Sequence, residues 1–422
     1  MNRQLSAPPP VAPGRGGWRR SFSALRHRNF RLFWFGQLIS LAGTWMQSVA
    51  QGWLVLQLTN SAFLLGLVTA ANWLPVMLLS LYAGTVTDRV SKRGLIVTTQ
   101  AASMLQALVL GLLTVTGLVQ VWHVIALALT LGLINTFDTP ARQSFVVEMV
   151  GKDDLMNAVA LNSSAFNMAR IVGPSIGGVL IALVGVGGIF LLNAVSFVAV
   201  IAGLLMMTST PGRAVATRRE SVWRDIAEGL SYIARTPVVF SVIFLLGVVS
   251  TFAMNFTTLM PIFARNVLQV GAPGLGFLMA AMGVGGFSGA LNVASLSRRG
   301  PDPRLLYGGI FAFLTLQTAF ALSHSFYASV VLLALTGAAM ITFTATANTT
   351  VQVTVPDHLR GRVMSVYFLT FGGATPIGSI FVGVVAERWG APTAMVSGVL
   401  ISATLAIALL IYRGHQQARA EG

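Results

Sequence analysis

The chain has 422 residues, of which 55% are hydrophobic and only 9% charged, with a mean hydropathy of +0.76. Soluble chains carry roughly 25% charged residues, so most of this surface must meet lipid rather than water. The net charge of +15 is spread along the chain, which excludes a nucleic-acid patch, and a cysteine count of 0 excludes disulfides and thiolate chemistry.

In chain order, residues 1–29 are polar, basic and rich in Pro and Gly ("APPPVAPGRGGWRR"), and read as a disordered cytoplasmic tail. The apolar stretch behind it is far longer than the core of a leader peptide, so no cleavage is expected. About 20 apolar residues cross the hydrocarbon layer as a helix. Twelve such stretches follow, near 32–58, 62–86, 94–117, 121–140, 156–184, 186–208, 238–262, 274–296, 303–323, 326–348, 361–386 and 391–412.

The first span carries Gln37, Ser40, Thr44, Gln47 and Gln51 at steps of 3 and 4, one polar stripe on an apolar helix. Lipid disfavours such a stripe, which marks it as a candidate substrate-cavity face, against the alternative of hydrogen bonding between helices. Asn255, between Thr251 and Thr258, gives a similar stripe in the seventh span. The fifth span contains "RIVGPSIGG", residues 170–178. A central arginine costs at least roughly 2.5 kcal/mol in a bilayer, and proline about 3 kcal/mol in a water-exposed helix. Ala165, Ala169, Gly173 and Gly177 form a stripe of small residues that predicts close backbone packing. Asn167 and Arg170 lie on a neighbouring face, expected to point into a cavity and meet an anionic or polar substrate; the alternative for Arg170 is a structural pairing with a carbonyl or Asp138.

Residues 209–237 separate a bundle of six spans (30–208) from a second (238–412), with a short tail at 413–422. Within this linker "SVWRDIAEGLSYIAR" sets Val222, Ile226, Leu230 and Ile233 at helical spacing opposite charges. That predicts an amphipathic helix on the cytoplasmic membrane face. With the N-terminus inside, 24 basic side chains fall on the cytoplasmic side and two, Arg265 and Arg388, on the other. By the positive-inside rule both termini are cytoplasmic. The halves also resemble each other at an offset of 210: "GLVTAANWLPVMLLSLYAGTVTDRVSKRGL" starts at Gly66 and "GFLMAAMGVGGFSGALNVASLSRRGPDPRL" at Gly276. Parallel six-helix repeats of this kind build major facilitator transporters.

Two motifs make the resemblance specific. "GTVTDRVSKR", residues 84–93, resembles the major facilitator loop signature G-x-x-x-D-R/K-x-G-R/K-R/K at Gly84, Asp88, Arg89, Lys92 and Arg93, departing at Ser91. The resemblance implies that Asp88 meets the N-terminal end of the eleventh helix and an arginine of the fourth, here Arg142, to latch a cytoplasmic gate. Gly173, Pro174, Gly177 and Gly178 match the G-P-x-x-G-G signature of major facilitator antiporters. Together with "VPDHLRGRVMSVY", the chain over 25–412 looks like the bacterial drug and siderophore exporter branch of that superfamily, which contains the enterobactin exporter. The implied fold is all-α and integral to the membrane, with twelve helices in two six-helix bundles.

No P-loop is present, since the only lysines, Lys92 and Lys152, lack its context, so neither nucleotide nor cofactor is expected. Nor does any pairing of acids or nucleophile and base suggest an enzyme. Transport would run on a gradient, and the resemblance implies protons. Asp138, at the end of the fourth span, is the candidate proton carrier, against a structural ion pair with Arg142 or Arg170. The expected function is export of small amphiphilic molecules across the bacterial cytoplasmic membrane, by a monomer. The alternatives are an uptake permease or facilitator, and a non-transporting receptor on the same fold.

Overall fold

A chain in lipid must satisfy its backbone groups internally, and helices do so within one segment. In the computed structural model, which describes residues 22–87, 89–151, 153–208, 222–296 and 302–421, every regular element is helical. A 3-10 turn, Ser23–Arg26, leads into α1 (Arg28–Thr59), α2 (Ala62–Thr87), α3 (Lys92–Val115), α4 (Val121–Val150) and α5 (Leu155–Leu205). The linker helix α6 (Val222–Arg235) is followed by α7 (Pro237–Phe252), α8 (Phe256–Ile262) and a π turn, Phe263–Val267. Then come α9 (Gly271–Leu296), α10 (Pro303–Ala321), α11 (Phe326–Thr354), α12 (Asp357–Gly373), α13 (Thr375–Trp389) and α14 (Ala391–Glu421).

Among the described residues, 10 helical stretches are long and apolar enough to cross a membrane. The first helix is not one of them, since glutamine, serine and threonine side chains interrupt it from Gln37 to Gln51. The fifth and sixth predicted spans form one run of 51 residues, α5, interrupted at Gly185 (φ 71, ψ 172), a conformation glycine adopts without a Cβ clash. Two predicted spans are instead divided: 238–262 breaks between α7 and α8, and 361–386 breaks at Ala374.

Small residues set the packing. α1 lies along α5, where Ala165, Ala169, Gly173 and Gly177 are all buried. A Cβ on Gly173 would stand 3.0 Å from the Ala42 carbonyl, and one on Gly177 3.1 Å from the Met46 Cα. α2 packs on α4, α9 on α11, and α10 on α11 and α14. One apolar cluster runs unbroken from Met46 and Ile189 through Leu259 and Phe263 to Met395, crossing both halves of the chain. A separate cluster around Phe30, Phe33, Ile96, Phe145 and Leu204 stays within the first half.

The linker helix α6 docks on protein. Arg362 bonds Glu228, the Arg362 carbonyl lies 3.1 Å from where a Gly229 Cβ would sit, and the Tyr232 hydroxyl donates to the Thr354 carbonyl at 3.4 Å. Ile233 is buried in this contact while Leu230 stays 50% exposed. The apolar face expected on lipid is thus shared with the second half of the chain.

Candidate functional site

The two halves meet along two seams, α2 with α13 and α5 with α9. Glycines allow both. A Cβ on Gly66 would fall 2.3 Å from the Ser379 carbonyl, and one on Gly178 2.6 Å from the Ala272 carbonyl and 2.8 Å from the Gly276 Cα. Lower on the second seam Gly283 abuts Ile171, and Gly286 abuts Arg170.

The side-chain hydrogen bonds described between the halves all lie at the Asn60 end. Glu387 accepts from the Ser61 hydroxyl at 3.0 Å and from the amides of Ala62 and Phe63 at 2.7 and 3.1 Å. Arg265 donates to the Leu56 carbonyl at 2.7 Å. A carboxylate thus caps the N-terminus of α2 and a guanidinium the last turn of α1, each matching the helix dipole. Beside them lies a cavity of about 300 Å³ lined by Asn60, Asn266, Glu387 and Pro392. At the opposite end Met156 is 86% exposed, and Val159, Leu291 and Val353 are exposed too. The ion pairs described there include Lys92–Glu148 within the first half and Arg362–Glu228 between the second half and the linker.

Of the loop-motif residues, Gly84 has open space around it, Arg89 is exposed, Lys92 bonds Glu148, and Arg93 donates to the Leu205 carbonyl at 3.0 Å. Asp88 lies outside the described residues. Arg142 bonds Asp138, four residues before it on α4, and its guanidinium lies 6.0 Å from the Phe33 ring centre. Asp138 is 7% exposed and also accepts from the Thr99 hydroxyl at 2.6 Å and Gln100 at 3.1 Å. Arg142, rather than Arg170, is its partner.

The expected cavity stripe of α1 divides. Gln37 and Thr44 remain partly exposed, whereas Ser40, Gln47 and Gln51 are buried. Gln47 donates to Gln106 at 3.1 Å and accepts from Asn193 at 2.7 Å, and Ser196 donates to Asn193 at 3.0 Å. This network ties α1 to α3 and α5, so Gln47 serves packing between helices. Asn255 is turned the same way, donating to the Ser250 and Thr251 carbonyls at 2.7 and 2.9 Å where the seventh span breaks. Gly378 of α13 approaches that break so closely that a Cβ would fall 2.1 Å from the Asn255 amide.

On α5, Arg170, Asn167 and Ser163 share a face with Phe166 by helical spacing. Asn167 donates to the Ser163 carbonyl at 2.8 Å, and Phe166 stands edge-on to Trp45 of α1, ring centres 5.7 Å apart. Ser48, one turn from Trp45, is exposed. Trp45, Ser48 and Phe166 escape a reading based on polar periodicity, and Arg265 and Glu387 escape one based on known motifs. Arg265 was nonetheless visible as one of two basic residues on the charge-poor side.

Outside the spans, Asp154 ahead of α5 holds the turn before α1. It accepts from Ser23, Arg26 and His27 at 2.8, 2.7 and 2.7 Å. The hydrogen bonds of His27, Ser23 and Arg26 hold its carboxyl down at about 2.

A membrane-spanning, all-helical chain with glycine-lined seams and a partly polar interior defines a membrane transporter. A family model described as transmembrane secretion effector matches residues 19–420, and the chain belongs to this family of the major facilitator superfamily. It is 29% identical over 369 residues to the multidrug efflux pump Tap of Mycolicibacterium fortuitum, covering 85% of this chain and 89% of that one. It is 26% identical to the staphyloferrin A transporter of Staphylococcus aureus, covering 85% and 90%. A crystal structure of a bacterial homologue of the lysosomal transporter Spinster, inward-facing and unoccupied, superposes with a TM-score of 0.69 at 15% identity over 93% of this chain and 95% of that one. The family and these relatives are transporters, not enzymes.

Proposed function

We propose that this chain is a secondary active exporter of small amphiphilic molecules, drug-like or siderophore-like, working by alternating access. Twelve spans in two bundles, 30–208 and 238–412, form its two moving halves, joined by the linker 209–237, with both termini (1–29 and 413–422) in the cytoplasm. A single chain suffices for the cycle. The observation that carries the reading is the one-sided distribution of contacts: the hydrogen bonds described between the halves gather around Glu387 and Arg265. Under the positive-inside orientation that end is external, and the state is open to the cytoplasm.

In this reading Glu387 and Arg265 bolt the outer gate, while Asp88, Arg89, Lys92, Arg93 and Arg142 belong to the inner latch, released in the inward-open state. Gly173, Pro174, Gly177 and Gly178 are the sliding seam, and Gln37, Thr44, Asn167 and Arg170 line the cavity with Ser48. Ser40, Gln47, Gln51 and Asn255 hold the cavity walls in place. Proton antiport runs through Asp138, a carboxylate buried within α4 beside Arg142.

The test is accumulation of a fluorescent amphiphile in inverted membrane vesicles energised by respiration. Uptake should exceed that of vesicles lacking the chain and collapse with a proton ionophore, and Asp138→Asn should remove the ionophore-sensitive part. Uptake that ignores the ionophore would sink antiport. A chain that accumulates the dye in right-side-out vesicles instead would be a permease.

A further inference from the structure

Arg170 is the one charge at mid-span in α5, fifteen residues or about 22 Å from the Gly185 break at 1.5 Å per residue. Among the described residues it has no hydrogen bond or ion pair, and its Nε is buried without a partner. Asp138, the carboxylate expected as its alternative partner, is already held by Arg142, Thr99 and Gln100. The guanidinium instead lies against α9 at a residue without a side chain: a Cβ on Gly286 would lie 3.5 Å from Nη2 and 3.2 Å from Ile341. Just above, Ile171 and Gly283 still touch, and below, Val159, Met156 and Leu291 are exposed. Under the exporter reading, Arg170 sits where the cleft between these two helices closes. Around it the lining is apolar and aromatic: Phe166, 46% exposed, with Trp45 edge-on, and Met282 one turn from Gly286.

Resting on the exporter reading, we propose that Arg170 selects substrates that carry an anionic oxygen group, a carboxylate above all, beside an aromatic or apolar body. A guanidinium offers five donors and no acceptor, stays charged, and pairs carboxylates in a two-point fork. In a low-dielectric cleft that pairing is strengthened, and a lipophilic cation at the same point is repelled. The body of the substrate lies against Trp45 and Phe166, where stacking is tolerant of shape, and methionine adapts to different outlines. Asn167 keeps its side-chain oxygen free as an acceptor, since only its nitrogen is committed to Ser163. Gly286, lacking a side chain, leaves the guanidinium uncovered on the α9 side.

The experiment is calorimetric binding to the full chain in lipid nanodiscs, using naphthoate, naphthamide and naphthylmethylammonium as probes. Naphthoate should bind about tenfold or more tightly than naphthamide, and the ammonium most weakly, the preference expected of a charge-assisted pair. Arg170→Gln should bring acid and amide together, while Arg170→Lys keeps part of the preference. Gly286→Leu, which leaves Arg170 in place, should weaken naphthoate more than naphthamide. Equal binding of acid and amide to the unaltered chain, or an undiminished preference in a folded Arg170→Gln, overturns the proposal. Binding in nanodiscs needs no transport cycle, so an absent vesicle signal alongside a clear acid preference would count against the exporter reading alone.

Discussion

At the scale of the residue, burial decides what a polar side chain in a span is for. Gln47 belongs to the same stripe as Gln37, yet it is 2% exposed and bonded on both sides. Leaving a buried donor or acceptor unmatched costs about 1–3 kcal/mol. Gln47→Ala should therefore lower the thermal stability of the solubilised protein by that order while leaving its order of preference among substrates intact. A changed preference at unchanged stability would return Gln47 to the cavity. The Asp154 clasp has a definite sign with pH. Its carboxyl titrates at about 2 rather than 3.8, so its contribution is present above the unfolded value and fades as pH falls from about 4 towards 2. The Tm difference between the unaltered chain and Asp154→Asn should be steady from pH 8 to about 5 and shrink below about 4; a difference as large near pH 2 as at pH 7 would contradict the assignment. Periodicity showed that the α1 stripe had to avoid lipid, but two non-lipid environments exist, cavity and neighbouring helix. Only the positions of Gln106 and Asn193, far away in the chain, separate them.

At the scale of the element, the glycines of "RIVGPSIGG" serve two interfaces at once. Gly173 and Gly177 admit α1, while Gly178 admits α9 from the other half. Gly178→Leu should spread the α5–α9 seam and reduce transport at least tenfold, because backbone atoms of Ala272 and Gly276 stand where the side chain must go. Gly308→Ala on α10, where a Cβ meets nothing within 4 Å, is the matched control. It should leave transport unchanged and add up to about 1 kcal/mol of stability through helix propensity. If both variants behave alike, close packing at Gly178 is not what transport requires. The helices themselves were readable from apolar length, although 10 rather than twelve stretches among the described residues are long and apolar enough to span, and α4, expected to end near 140, runs on to Val150. Their internal breaks were less so: the interruption at Ala374 had a sign in "GGATP", whereas the one at Ala253–Asn255 has no proline or glycine to announce it. That break is stabilised by Asn255 bonding the freed carbonyls and by Gly378 pressing against it, which is tertiary information.

At the scale of the molecule, class and family were legible because so few charges admit only a membrane-embedded chain, and because two short motifs match a known superfamily. The state of the molecule was not legible, since under the exporter reading it depends on which of two sets of contacts between halves is made. Here Glu387 and Arg265 join the halves at one end, and the side-chain hydrogen bonds described between the halves include none at the other. A carboxylate at a helix N-terminus contributes about 0.3–1 kcal/mol, more when partly buried, enough to shift a near-balanced equilibrium several-fold. The absence of native cysteine makes the direct measurement clean: spin labels on Phe63→Cys with Trp389→Cys at one end, and on Met156→Cys with Leu291→Cys at the other, with distances read in nanodiscs. Introducing Glu387→Ala should lengthen the first distance and shorten the second, in reciprocal populations. Two distances that stay put, or that change in the same direction, would contradict alternating access about this seam.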